Sequence, residues 1–253
     1  MDINDAWKSI CKILLSREIG ELRQYGDYLS EYVEKPSMKT SSISGKSVAV
    51  SSSAYSKGAK FIAHDEMAQY EKIPHSVKLG INQIKDMDSI LESISGKICY
   101  SGNMVVGNSR EVENSDTCED AQYVSSSIRV FTSKFVAYSS DVRLSESIFG
   151  CDKVPDSKFL ICSCHTHRSV RTMECLRVFL SSDCYYCCNL EDCSDCIFTF
   201  NQRNKRNMIG NVQLEKPEYL KLKKKLIAEF ADTLESKKFI PKIADIMADS
   251  YEK

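Results

Sequence analysis

SKFVAYSSDVRL (133–144), SESIFGCDKVPD (145–156), SKFLICSCHTHR (157–168), SVRTMECLRVFL (169–180), SSDCYYCCNLED (181–192) and CSDCIFTFNQRN (193–204) are consecutive twelve-residue stretches with one pattern. The first station is always small: Ser133, Ser145, Ser157, Ser169, Ser181, Cys193. Three residues on stand Val136, Ile148, Leu160, Thr172, Cys184 and Cys196. Six on stand Ser139, Cys151, Ser163, Cys175, Cys187 and Thr199. Nine on stand Val142, Val154, Thr166, Val178 and Leu190, with Gln202 breaking the rule. Small and β-branched residues at fixed stations, without helical spacing, mark a solenoid with a narrow interior. A helical repeat needs roughly 33 or more residues, so this one is too short.

Working backward, Ala121, Val124, Ser127 and Val130 fit, as do Ser109, Val112, Ser115 and Cys118. Ala59-Lys-Phe-Ile-Ala-His echoes SKFVAY, so the Ser-rich stretch from Ser37 to Ser56 reads as a first coil rather than a linker. SKFVAYSS at 133 returns as SKFLICSC at 157, twenty-four residues later. This echo favours a coil of about 24 residues built from two unequal twelve-residue halves, with a twelve-residue coil as the alternative. The expected fold is mainly β: a right-handed β-helix over 47–204, flanked by helices. Residues 1–36 form an N-terminal helical cap, since Ile3, Trp7, Ile10, Leu14, Leu22 and Leu29 recur at helical spacing and Pro36 ends the run. Residues 71–96 form a helical insertion lying against the solenoid. Residues 214–253 form a second cap, opened by Pro217 and carrying Tyr219, Leu222, Leu226, Phe230 and Leu234 on one face. The apolar faces of 3–33 and 219–234 would cover the open solenoid ends or pack along the flanks.

Apolar residues make up 42% of the 253-residue chain and the formal net charge is −1. That suits a globular protein and gives no global attraction to nucleic acid or membrane. No apolar run approaches the ~18 residues of a membrane span. Met1 to Trp7 holds two aspartates and no basic group, unlike a signal peptide. The twelve cysteines therefore read as reduced thiols of a cytoplasmic protein.

Cys184, Cys187, Cys193 and Cys196 make two CxxC pairs, with Cys188 between them. Four thiolates can hold zinc or an iron–sulfur cluster. Only five residues separate the pairs, and four of these thiols occupy repeat stations, so interior filling is the leading reading. Cys164 and Cys188 lie off those stations. His165, beside Cys164 and one residue from His167, completes the candidate metal set. Arg129, Lys153 and Arg177 recur at twenty-four-residue steps, followed by Arg203, Lys205 and Arg206. On stacked coils such a column could bind an anion, although interleaved carboxylates would neutralise it. No phosphate loop, nucleophile elbow or paired-carboxylate catalytic constellation is recognisable, so the reading leans away from an enzyme.

CYYCCNLEDCSDCIFTFNQRNKRNMIGN (184–211) followed by LEKPEYLKLKKKL (214–226) resembles the C-terminal part of uncharacterised Cys-rich β-solenoid repeat proteins of archaea and uncultured bacteria. In those proteins Cys-rich repeats lead into an Arg-Asn-Lys segment and a terminal helix, and the resemblance implies no activity. The helix–solenoid–helix layout is similar to the scaffolds of iron–sulfur cluster assembly in architecture only. The expected function is a structural or scaffold protein that meets other protein subunits, including its own copies. The alternatives are a metal or iron–sulfur carrier and, more weakly, a polyanion or nucleic-acid binder.

Overall fold

In the computed structural model, which describes residues 2–73 and 77–247, the repeat forms a β-solenoid whose coil is twelve residues long. Lys134 pairs with Glu146, Glu146 with Lys158 and Lys158 with Val170, all in parallel register. A typical coil gives one four-residue strand to each of two faces. The first face stacks strands from Arg110–Glu113 to Arg206–Ile209. The second runs from Val105–Val106 through Asp152–Pro155 and resumes at Leu176–Phe179. Between them the Cys164–Arg168 segment is joined only by single bridges to Asp152, Leu176 and Phe179.

Such a tight coil needs frequent corners. From Glu111 to Asn207 every third residue is left-handed, with φ between 46° and 60° except at Gly150. This conformation costs a non-glycine residue about 1 kcal/mol. Asn201, Asn204 and Asn207 fill these corners in the last coil, and Asn tolerates them best. The residue after each corner points inward, which is why the stations recur every three residues. Val136, Ile148, Leu160, Val142 and Val154 form a closed apolar interior.

The serine stations have a specific task. Ser133 Oγ donates to the Phe131 carbonyl at 2.7 Å and accepts from the Ser145 amide one coil on at 3.1 Å. Ser145, Ser157 and Ser169 repeat this, as does the opposite column of Ser115, Ser127 and Ser139. The hydroxyls thus satisfy backbone groups at corners where the strand ladders do not reach. Cys151 substitutes: its Sγ donates to Phe149 O at 3.4 Å and accepts from Ser163 N at 3.3 Å.

The expected twenty-four-residue coil is thus corrected, and the outer surface explains the misleading echo. Opposite charges alternate between adjacent coils: Lys158 with Glu146, Arg168 with Asp156, Arg171 with Asp183 and Arg203 with Glu191. Alternation at twelve returns the same residue type at twenty-four. Phe135 and Phe159 are likewise separated by the smaller Ser147. Phe159 therefore does not stack directly on Phe135, nor Cys188 on Cys164, because Leu176 lies between the two thiols. The strands also continue past 204, to Ile209.

The terminal helices lie along a flank rather than over the ends. Helix α1 (Ile3–Leu15) crosses five first-face strands between Gln122 and Met173. Its length of about 20 Å matches five strands at about 4.8 Å spacing. Trp7 is fully buried, edge-on to Phe149 at 5.4 Å, and bonds Gly20 O. The long C-terminal helix (Lys216–Lys237) buries Tyr219, Ile227, Ala231 and Leu234 against α1 and the last coils. The ends are closed otherwise. Val212–Gln213 folds back antiparallel on the last strand, and the Asn211 side chain bonds both backbone groups of Phe200. At the other end Ser37–Thr40 and Ser47–Val50 form an antiparallel hairpin, so this stretch is not a regular coil. Lys60–Ala63 does stack in parallel, on Cys99–Gly102.

Between those last two strands the chain makes its insertion, with a 3-10 turn at Ile81–Gln83 and a helix at Met87–Ile94. Residues 74–76 of the expected helical stretch, like 248–253 of the C-terminal one, fall outside the described residues. The start of the insertion is anchored, with Glu66 buried and bonded by Ser41, whereas none of residues 77–98 is buried. Among the described residues, no helix is long and apolar enough to cross a membrane.

Candidate functional site

The structure presents three groups of residues, two of them sequence candidates. Cys184, Cys187, Cys193 and Cys196 project into the solenoid interior and form one apolar cluster with Cys175, Val178, Leu190 and Met208. Cys184 is the register partner of Cys196 in the next coil. Their hydrogen bonds run to carbonyls: Cys187 Sγ to Tyr185 O at 3.2 Å and Cys196 Sγ to Ser194 O at 3.4 Å. Burial pushes the Cys187 thiol well above its ordinary pKa, and Cys187 itself, then burial, does the same for Cys184. Among the described residues no group of three or more His, Cys, Asp or Glu is arranged to hold a metal ion. The thiols are stacked in columns rather than gathered round a point.

The basic stations do not form a continuous column. Asp141 stands between Arg129 and Lys153, and Arg129 bonds it along with Glu34. Lys153 bonds Asp152 at 2.8 Å, and Arg203 bonds Glu191 at 2.9 Å. Lys205 occupies an interior station of the last coil and is half-buried, whereas Arg177 and Arg206 are exposed. On the C-terminal helix Lys223 is held by Asp195 at 2.9 Å.

The third group contains residues that spacing did not identify. Where the helical layer meets the second face, a cavity of about 220 Å³ is lined by Asp152, Cys162, Cys164, His165, Glu174 and Lys242, among others. Two of the candidate ligands, Cys164 and His165, therefore share its wall. The exposed His165 and the half-buried His167 occupy different stations, one at a corner and one beside Phe179. Burial, with Asp152 adding repulsion, pushes the Cys164 thiol up to about 11.

The floor of this cavity is a buried charged cluster. Lys242 Nζ lies 3.1 Å from Glu174 Oε1 and 2.8 Å from Cys162 Sγ, and sits 3.6 Å from the centre of the Tyr28 ring. Tyr28 Oη donates to Glu174 Oε1 at 2.5 Å, and Ile243 N donates to Oε2 at 3.3 Å. The Lys242 and Glu174 side chains are 5% and 1% exposed, so the pair is buried and meets solvent only through this cavity. Burial raises the Glu174 pKa, against the pull of Lys242 and Tyr28. Burial opposes the Lys242 charge, yet Cys162 and Glu174 together hold it above the ordinary lysine value. Truncating either member of such a pair strands an uncompensated charge.

A sequence signal for this cluster existed. Tyr138, Gly150, Cys162, Glu174, Tyr186 and Phe198 fill one outward corner column. A lone carboxylate among aromatic and small residues is out of place there. No protein-family model matches the chain, and no curated protein matches it either.

Proposed function

We propose that the protein is a non-enzymatic scaffold whose rigid solenoid carries a docking element for other protein subunits. The observation that carries this reading is the insertion between Ala63 and Cys99. Its large apolar residues face solvent: Ile81 is 85%, Met87 72%, Ile84 55% and Leu91 52% exposed. Apolar clusters of this kind mark protein–protein contacts. The insertion is tied at its base, where Lys60 Nζ bonds Gly96 O and Tyr70 Oη bonds Lys97 O. The cross-coil pairing of the basic stations makes protein a better partner than a polyanion. Twelve unpaired thiols suit a reducing, cytoplasmic setting.

Light scattering on the purified chain, with a pull-down from its native extract, tests this. Stoichiometric assembly, either with a second copy or with a retained partner, is expected, and Met87→Glu with Leu91→Glu should abolish it without altering the circular dichroism. A monomer at every concentration that retains no partner would overturn the proposal.

A further inference from the structure

The buried cluster holds a thiol and an amine at bonding range, and neither group has a part in the scaffold reading. Cys162 Sγ and Lys242 Nζ are 2.8 Å apart, although eighty residues separate them in sequence. Both side chains line the 220 Å³ cavity, which gives a small oxidant a route to the pair. Glu174 Oε1, 3.1 Å from the amine, is placed to take its proton.

We infer that Cys162 and Lys242 are a modification site, joined by hydrogen peroxide into a covalent S–O–N bridge that fastens the C-terminal segment to the solenoid. The steps balance. The Cys162 sulfur attacks one peroxide oxygen; an S–O bond forms, the O–O bond breaks, and the thiol proton leaves in water. The sulfur, having lost two electrons, is now a sulfenic acid. Lys242, after passing a proton to Glu174, attacks a second peroxide; an N–O bond forms, the O–O bond breaks, and a second water leaves. The resulting hydroxylamine oxygen displaces hydroxyl from the sulfenic sulfur, releasing a third water. Thiol, amine and two peroxides thus give S–O–NH and three waters. Burial pushes the Cys162 thiol up to about 12, which slows the first step, while the Lys242 charge works in the opposite direction.

The test is mass spectrometry of the intact protein after hydrogen peroxide treatment. The expected product has gained one oxygen and lost two hydrogens. After trypsin, the 159–168 peptide should be joined to the 239–253 peptide and released by dithiothreitol. Cys164→Ser should keep the bridge, and Cys162→Ser should lose it. Loss of two hydrogens without oxygen, sulfinic or sulfonic acid at Cys162, or a freely alkylated Cys162 after treatment would each overturn the proposal. The readout uses the wild-type chain, so it stands even where a variant fails to fold.

Discussion

Arg129 and Asp141 occupy the same corner of adjacent coils and meet in a two-point ion pair, Nε to Oδ1 at 2.8 Å and Nη2 to Oδ2 at 3.0 Å. The pair favours this register, since a slip by one station would set Arg129 against Tyr138 or Leu144 and leave both charges unpaired. Asp141→Lys should therefore cost more than Asp141→Ala, by about 1 kcal/mol. Urea titration measures both; equal midpoints would show that the charge at 141 does not matter.

The serine columns carry a second expectation. Ser157 Oγ donates to Pro155 O at 3.0 Å and accepts from Ser169 N at 3.2 Å. Ser157→Ala strands both buried groups and should cost about 1–3 kcal/mol. Ser157→Cys should cost less, because Cys151 already fills the equivalent role in the opposite column. If alanine and cysteine prove equally tolerated, the hydroxyl ladder contributes nothing.

Stability should fall in alkaline solution. Burial raises the Cys151, Cys175 and Cys187 thiols, and takes Cys118 to about 12. A thiol raised in the folded state ionises first in the unfolded chain. Above about pH 8.5 the unfolded state therefore binds fewer protons, and each such thiol removes up to about 1.4 kcal/mol per pH unit until its folded pKa is reached. Below that window the contribution is fully present. Combining Cys175→Ser and Cys187→Ser with Cys184→Val and Cys196→Val should flatten the fall, since each replacement is native to its column. Denaturation curves at a series of pH values compare the slopes; parallel slopes in parent and variant would reject the account.

Trp7, the single tryptophan, reports on the helical layer. Its burial against Phe149 and Tyr25 predicts blue-shifted emission that an aqueous quencher barely reduces. Trp7→Ala should cost about 3–5 kcal/mol. Emission typical of water-exposed indole would place the helix elsewhere.

Much of the solenoid was readable because its interior accepts so few residue types. Val136, Ile148 and Leu160 had to be apolar, and Ser133, Ser145 and Ser157 had to be small hydrogen-bonders. Coil length was harder to read, because the outer residues obey a different rule. Lys134 and Lys158 match because Glu146 between them must oppose them, and the eye joins the likes. The sequence left the position of the helices open between end and flank, since an apolar face on α1 fits either. The Cys162–Glu174–Lys242 cluster combines a column neighbour with a residue from the far terminus, and no spacing encodes that meeting.

Helix α1 has a consequence for how this chain can evolve. A solenoid ordinarily gains or loses whole coils, because each touches only its neighbours. Here a single rigid helix contacts strands of five consecutive coils between Gln122 and Met173, so it acts as a gauge on their number. Duplicating a coil inside that span would carry Phe149 and Met173 out of step with Trp7 and Leu14, whereas duplication between Val105 and Gln122 would leave the gauge untouched. Length variation among descendants of this sequence should therefore fall outside the span from Gln122 to Met173.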